Sequence, residues 1–223
     1  MRLEVDCERI RRNAATIVEF CASDGIEVVG VTKSCCGHPE VARAMLAGGV
    51  TTLADSRLSY VRRMREAGVR ADIMLLRLPR LSEVNEVVEL TQISLNSEVE
   101  TVCALSRAAR KRGLVHRVIL MVEMGDRREG VMPEDAVSVA RAIKGIPAID
   151  LEGIGTNLVC IGGVLPTIEN TQALVDLAES IERSLDVGFR VISGGNTYSL
   201  DFVLRGEMPD RVNQLRVGEG ILL

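Results

Sequence analysis

Short apolar runs alternate with helical patterns along most of the chain. Parallel strands that helices cover on both faces are near-continuous aliphatic runs, whereas amphipathic helices repeat apolar residues every three or four positions. These two patterns together predict eight strand–helix units. The predicted strands cover residues 27–33, 51–54, 72–77, 92–95, 117–123, 150–155, 189–193 and 214–217.

Helices are predicted between successive strands, with one more before the first strand. Two of them begin with a proline at a first-turn position, Pro39 and Pro133, and Gly68 closes another. Ser97 is the predicted N-cap of the helix that reaches Arg112. The predicted helices cover residues 8–23, 39–47, 56–67, 82–89, 97–112, 133–144, 167–184 and 199–205.

Eight parallel strands with crossover helices predict an α/β fold, a TIM-type (β/α)₈ barrel, as a single domain over residues 1–223. An open doubly wound sheet is the alternative, but a glycine-rich dinucleotide fingerprint is missing. The composition is 47% hydrophobic and only 2% aromatic, so the core must be aliphatic. Such a core suits a parallel sheet covered by helices.

The charge and the cysteine positions restrict the kinds of molecule or ion that the chain is expected to bind. The net charge is −4 and the basic residues are scattered, so we expect no nucleic-acid partner. No apolar run reaches the roughly 18 residues of a membrane span, and the charged N-terminus is unlike a signal peptide. The six cysteines lack zinc-ligand spacing. We therefore expect a cytoplasmic protein with buried, reduced thiols, no bound metal and no membrane contact.

Polar residues gather where the predicted strands end. In (β/α)₈ barrels the active site lies at the carboxyl ends of the strands. The candidate site is therefore polar and includes a lysine, several arginines and two glycine-rich turns. Its members are Lys33, Asp55, Arg77, Asn96, residues 123–128, Thr156, Asn157, residues 193–197 and residues 216–220.

Lys33 differs from the other two lysines of the chain. Lys111 and Lys144 stand near predicted helix ends, where a solvated cation is ordinary. Lys33 ends an apolar strand, and partial burial there would favour the neutral amine that imine formation needs. The alternative is a lysine whose ammonium group simply extends into solvent.

The ends of strands seven and eight have the composition of a phosphate site. Ser193-Gly194-Gly195-Asn196-Thr197 and Gly218-Glu219-Gly220 combine glycines with hydroxyl donors, and barrels often bind phosphate at these two positions. Each could instead be an ordinary turn. Arg216, within strand eight, cannot lose its charge, so it needs either a carboxylate partner or a ligand.

Several segments, in this order, resemble fold-type III pyridoxal-phosphate enzymes. The resemblance is to the alanine racemase group, and within it most closely to the ornithine racemase-like branch. It runs along nearly the whole barrel. The segments that carry it are Val31-Thr32-Lys33, Leu53-Ala54-Asp55-Ser56-Arg57, Gly125-Asp126-Arg127-Arg128-Glu129-Gly130, Gly153-Ile154-Gly155-Thr156-Asn157, Ser193-Gly194-Gly195-Asn196-Thr197 and Leu215-Arg216-Val217-Gly218.

The resemblance implies a pyridoxal 5′-phosphate cofactor bound as a Schiff base to Lys33. Arg216 would contact the pyridine nitrogen, with Asn157 beside it where alanine racemases have histidine. Arg128 falls where the family places an arginine near the ring hydroxyl, and with Asp126 it is predicted to contact substrate. Asp126 could instead pair with a neighbouring arginine. The remaining predicted cofactor contacts are Ser193, Gly194, Gly195, Asn196, Thr197, Gly218 and Glu219.

The implied activity is racemisation of an amino-acid substrate, either ornithine or another basic amino acid, with alanine also possible. Asp126 and Glu219 could bind a second, cationic amine. Lys33 would serve as the base on one face of the α-carbon. Two alternatives stay open: a non-catalytic pyridoxal-phosphate carrier, and a barrel without this cofactor, such as a phosphosugar isomerase or lyase.

Two departures from the family pattern matter. The tyrosine that helps to hold phosphate in alanine racemases is replaced here by Cys35-Cys36-Gly37-His38. The resembling racemases also carry a C-terminal β domain, whose tyrosine acts as second base across a dimer. We therefore expect the natural protein to continue past Leu223 and to form a homodimer. Residues 1–6 would then be a strand leading toward that domain.

Overall fold

The computed structural model describes residues 4–159 and 163–223. In it each of the eight parallel strands is hydrogen-bonded to the next, and the last strand pairs with the first. The predicted closed (β/α)₈ barrel is therefore confirmed, and the open-sheet alternative is wrong.

The strands are short and lie near the predicted positions. They are β1 (Glu27–Val31), β2 (Thr52–Asp55), β3 (Asp72–Leu75), β4 (Ile93–Asn96), β5 (His116–Met121), β6 (Ile149–Gly155), β7 (Val191–Asn196) and β8 (Gln214–Val217). The α-helices of the described chain are α1 (Cys7–Ala22), α2 (Pro39–Ala47), α3 (Leu58–Glu66), α4 (Val84–Leu90), α5 (Val99–Arg112), α6 (Pro133–Lys144), α7 (Ile168–Leu185), α8 (Leu200–Arg205) and α9 (Glu219–Leu222).

Most element boundaries lie within about two residues of the prediction, and three other differences are informative. Strand β7 begins at Val191 and continues to Asn196, because Asn196 pairs with Arg216 of β8 beyond an irregularity in the register at the two glycines. The N-cap of α5 is Glu98 rather than Ser97. Helix α9 was not predicted, because four residues are too few to show a helical period.

Gly155 of β6 lies close to Ser193 and beside the charged side chain of Arg216 inside the barrel. Arg216 is paired in register with Val29, whose side chain belongs to the aliphatic barrel interior, so both face inward. A Cβ atom at Gly155 would lie 2.9 Å from the Ser193 Cβ and 3.5 Å from the Arg216 Nη1. Gly155 therefore lets β6 approach Ser193 closely, while the guanidinium of Arg216 lies at ordinary contact distance.

Among the described cysteines, the expectation of buried thiols is confirmed only for Cys21, because Cys7, Cys35 and Cys103 are half-buried. Cys21 is buried, but Cys36 is exposed, in a left-handed turn just after Lys33 with φ 53°. Cys160 lies outside the described residues. Within the described chain, every helix is too short or too polar to cross a membrane.

The N-terminal segment leads directly into α1. Asp6 is the N-cap of α1, and its Oδ1 accepts hydrogen bonds from the backbone N–H groups of Glu8 and Arg9, each at 3.0 Å. Residues 4–6 form no strand, and residues 1–3 lie outside the described chain. The described residues 4–6 therefore do not form the strand that was predicted over residues 1–6.

Candidate functional site

A cavity of about 350 Å³ opens at the carboxyl ends of the strands. It brings together eight of the residues predicted for the site, from five different strand ends. These are Lys33, Arg128, Asn157, Asn196, Thr197, Arg216, Gly218 and Glu219. Its wall is completed by Val31, Ser34, Leu76, Val159 and Tyr198.

Lys33 begins a single 3₁₀ turn immediately after β1. Gly37 ends this loop with φ +61°, and a Cβ atom there would lie 2.8 Å from the Tyr60 carbonyl oxygen. Glycine at this position therefore allows the lysine loop to pack against the first turn of α3. Lys33 itself is exposed to solvent. The barrel in this structure therefore does not provide the partial burial that was expected for this lysine at the end of β1.

A buried carboxyl group fixes the residue before Lys33. The Thr32 hydroxyl donates to Asp55 Oδ2 at 2.7 Å, and the Arg57 backbone N–H donates to Asp55 Oδ1 at 3.1 Å. Burial raises the pKa of Asp55, while these hydrogen bonds and the nearby charge of Lys33 oppose the rise. Asp55 thus ties the ends of β1 and β2 together, a role that its place at a strand end did not reveal.

Arg216 is 3% exposed and lies within the barrel mouth. Its Nη2 donates to the Thr156 carbonyl oxygen at 2.6 Å and to Asn157 Oδ1 at 2.7 Å. Its Nη1 donates to the Ser193 hydroxyl. Ser193 is fully buried and does not line the cavity, so in this structure it positions the arginine rather than facing a ligand.

A hydrogen-bond chain links Arg216 to Arg128. The Asn157 amide accepts from Arg216 through Oδ1 and donates from Nδ2 to Glu129 Oε1. The other oxygen of Glu129, Oε2, lies 3.1 Å from Arg128 Nε. Glu129 belongs to the family-like segment after β5, but no feature of the sequence pattern distinguishes it from its neighbours.

Glycines 194 and 195 shape strand β7 rather than line the cavity. A Cβ atom at Gly194 would lie 2.5 Å from the Val212 Cγ1. A Cβ atom at Gly195, whose φ is +126°, would lie 2.5 Å from the Ser199 Oγ. These close contacts explain why glycine stands at both positions.

The turns after β7 and β8 are joined through Thr197. Its hydroxyl oxygen accepts from the backbone N–H groups of Gly218 and Gly220, at 3.4 and 3.3 Å. Asn196 fixes the first turn, because its Oδ1 accepts from the Tyr198 backbone N–H at 3.1 Å. The two turns predicted to bind phosphate therefore form one wall of the cavity.

The two acidic residues considered for the substrate occupy different places. Glu219 lines the cavity. Asp126 is only 2% exposed and is absent from the residues that line it, so the predicted substrate contact of Asp126 is not visible in this arrangement.

Comparisons with known proteins agree with the motifs. The family model for the alanine racemase N-terminal domain matches residues 5–222. An ornithine racemase from Acetoanaerobium sticklandii is 35% identical over the whole chain, and a lysine racemase from Thermotoga maritima is 37% identical. The chain covers 63% and 62% of the lengths of these two relatives.

A solved alanine racemase, from D-cycloserine-producing Streptomyces lavendulae, shares the fold. It superposes with a TM-score of 0.81 over 97% of this chain and 57% of its own, at 21% identity. The resemblance deduced from the sequence motifs is confirmed: the chain belongs to the alanine racemase N-terminal domain family.

Proposed function

We propose that this chain is the cofactor-binding barrel of a pyridoxal-phosphate-dependent amino-acid racemase, with Lys33 as the cofactor lysine. The observation that carries the proposal is the convergence of Lys33, Arg216 and the turns after β7 and β8 on one cavity. Family membership supports the same chemistry, because the two curated relatives are named racemases.

The residues of the cavity fit this cofactor. A phosphorylated pyridine aldehyde needs an amine, cationic or N–H donors for its phosphate, and a donor or acceptor for its ring nitrogen. Lys33 supplies the amine, Thr197 supplies a hydroxyl, and the glycine-rich turn at Gly218, which here donates two N–H groups to that hydroxyl, supplies amide groups. The volume of about 350 Å³ lies at the lower end of the usual range for small-molecule sites.

Lys33 has two tasks in this proposal. Its amine would hold the cofactor, and as a free amine it would remove or return the α-proton of the substrate on one face. The bound cofactor supplies the electron sink that makes this proton acidic.

Arg216 sets the electronic state of the site. Guanidinium is protonated at every accessible pH and can only donate hydrogen bonds. A ring nitrogen facing Arg216 would therefore act as an acceptor and stay unprotonated. Thr156, Asn157 and Ser193 hold the guanidinium in place for this contact.

We propose a basic amino acid, of the ornithine or lysine type, as the substrate. The two curated relatives, an ornithine racemase and a lysine racemase, support this choice. Glu219 supports it as well, because this acidic residue lines the cavity and its carboxylate could attract a second ammonium group. Glu219 is thus a better candidate than the buried Asp126 for this contact.

Inverting the α-carbon needs a proton donor on each face, and Lys33 can serve only one. Tyr198 lines the cavity but belongs to the turn that joins the proposed phosphate wall. We therefore propose that the second donor comes from a partner subunit of a longer homodimeric protein. In that case the 223-residue chain racemises far more slowly than about 1 s⁻¹, an ordinary enzyme rate.

The test separates cofactor binding, proton transfer and inversion. The chain is loaded with pyridoxal phosphate, and the L and D forms of ornithine, lysine and alanine are incubated with it in D₂O. We expect visible absorbance of bound cofactor and α-deuterium exchange of one enantiomer of a basic amino acid. Lys33→Ala should abolish exchange, while Lys111→Ala, a matched surface lysine, should not.

Each of the other possible outcomes contradicts one part of the proposed function. Bound cofactor without any α-proton exchange would favour a non-catalytic carrier. A chain that binds no pyridoxal phosphate would favour a barrel of different chemistry. Full racemisation at roughly 1 s⁻¹ or more would show that the second donor lies within this chain.

A further inference from the structure

Glu129 stands between the two arginines of the cavity. Its Oε2 contacts Arg128 Nε at 3.1 Å, and its Oε1 accepts from the Asn157 amide, whose other end contacts Arg216. Its side chain is 9% exposed, compared with 25% for that of Arg128. This carboxylate therefore occupies a mostly covered position where hydrogen bonds to charged groups are strong.

The chemistry of the chain allows one orientation of the Asn157 amide. Guanidinium groups only donate hydrogen bonds, and an ionised carboxylate only accepts them. An amide between the two must present Oδ1 to Arg216 and Nδ2 to Glu129, as found here. Removing the carboxylate would leave the amide free to turn, and Arg216 would then lose a fixed acceptor.

The backbone around Glu129 is anchored to the end of β5. The Glu123 backbone N–H donates to the Val131 carbonyl oxygen at 2.9 Å, and the Val131 N–H donates to the Met121 carbonyl oxygen at 2.8 Å. Gly130 permits this close approach, since a Cβ atom there would lie 2.5 Å from the Glu123 nitrogen. Glu129 therefore projects from a fixed segment rather than from a free loop.

We propose that Glu129 is a positioning residue that couples the two cavity arginines, fixing Arg216 through the Asn157 amide and Arg128 directly. The inference rests on the proposed function, because the arginines are positioned for a ligand only if the cavity binds the cofactor. It predicts that losing Glu129 changes the environment of the cofactor and not only the stability of the loop.

Two variants of Glu129 separate the loss of its hydrogen-bond acceptors from the loss of its negative charge. Glu129→Leu removes both acceptor oxygens, whereas Glu129→Gln keeps one carbonyl oxygen for Asn157. Glu134→Leu is the matched control, because Glu134 is exposed in the first turn of α6, five positions along the same segment. Cofactor affinity is measured by fluorescence titration, and visible absorbance of the bound cofactor is recorded as a function of pH.

We expect Glu129→Leu to weaken pyridoxal-phosphate binding about tenfold or more, the ratio that follows from losing a hydrogen bond to a charged group. The pH at which the visible absorbance changes should move as well. Glu129→Gln should recover much of the affinity, and Glu134→Leu should match the wild type.

A double-mutant cycle tests the coupling itself. If Glu129 acts through Asn157, then Asn157→Ala combined with Glu129→Leu should weaken binding clearly less than the product of the two single effects. Independent effects that multiply, or an unchanged affinity and pH profile in Glu129→Leu, would overturn the inference while leaving the proposed function intact. A wild-type chain that binds no cofactor would overturn both.

Discussion

His116 is a buried imidazole that the fold keeps neutral. It is the first residue of β5, it is 2% exposed, and its Nε2 lies 2.8 Å from the Ser94 hydroxyl. The Asn96 amide also donates to that hydroxyl at 2.9 Å. Burial, with a smaller contribution from the charge of Arg117, lowers the pKa of His116 from 6.5 to about 4.

The difference between the pKa of His116 in the unfolded chain and in the folded chain makes the free energy of unfolding depend on pH. An unfolded chain takes up this proton near pH 6.5 and the folded chain only near pH 4, so acid favours unfolding between these values. The contribution of neutral His116 is fully present above about pH 6.5 and is lost as the pH falls toward 4. The loss approaches about 3 kcal/mol in total, of which about 2 kcal/mol falls between about pH 7.5 and pH 5.

The assay is urea unfolding of wild type, His116→Gln and His38→Gln at these two pH values and constant ionic strength. Glutamine can still hydrogen-bond to Ser94 but does not titrate. His38, the other histidine of the chain, is exposed and serves as the matched control. The stability of wild type relative to His116→Gln should fall by about 2 kcal/mol on acidification. Parallel pH profiles for wild type and His116→Gln would refute the reasoning.

Three further predictions concern packing, capping and thiols. Gly155→Ala places a Cβ atom 2.9 Å from the Ser193 Cβ, so urea unfolding should show a loss of about 1–3 kcal/mol; unchanged stability would contradict the packing described. Thr167→Ala removes the side-chain cap of α7 and should cost about 1 kcal/mol in the same assay, whereas Thr167→Ser should cost less. Burial raises the pKa of the Cys21 thiol to about 11, whereas Cys36 is exposed. Peptide mapping after alkylation of the native protein should therefore find label on Cys36 and not on Cys21. Early labelling of Cys21 would contradict its burial.

The barrel was predictable because its strands are aliphatic runs of the right length and its helices carry terminal residues that mark their ends. Helix α6 is an example, since Pro133 begins it and Lys144 ends it as predicted. The end of β7 was less predictable, because the glycines there are compatible with both a turn and a strand. The pairing of Asn196 with Arg216 of β8, beyond the glycines, extends the strand across them.

The site was predictable as a set of strand ends but not as a set of contacts. Barrel geometry brings the ends of parallel strands together, which is why Lys33 and Arg216 meet at one cavity. Sequence position does not say whether a side chain faces a ligand or another side chain. Ser193 holds Arg216, and Glu129 contacts Asn157 from a segment 28 residues away.

The most direct test of the central claim is chemical mapping of the cofactor lysine. The chain, loaded with pyridoxal phosphate, is reduced with borohydride, digested and mapped by mass spectrometry. The account predicts a pyridoxyl group on Lys33 in the wild type and no label in Lys33→Ala. Label on Lys111 or Lys144 in place of Lys33 would contradict it.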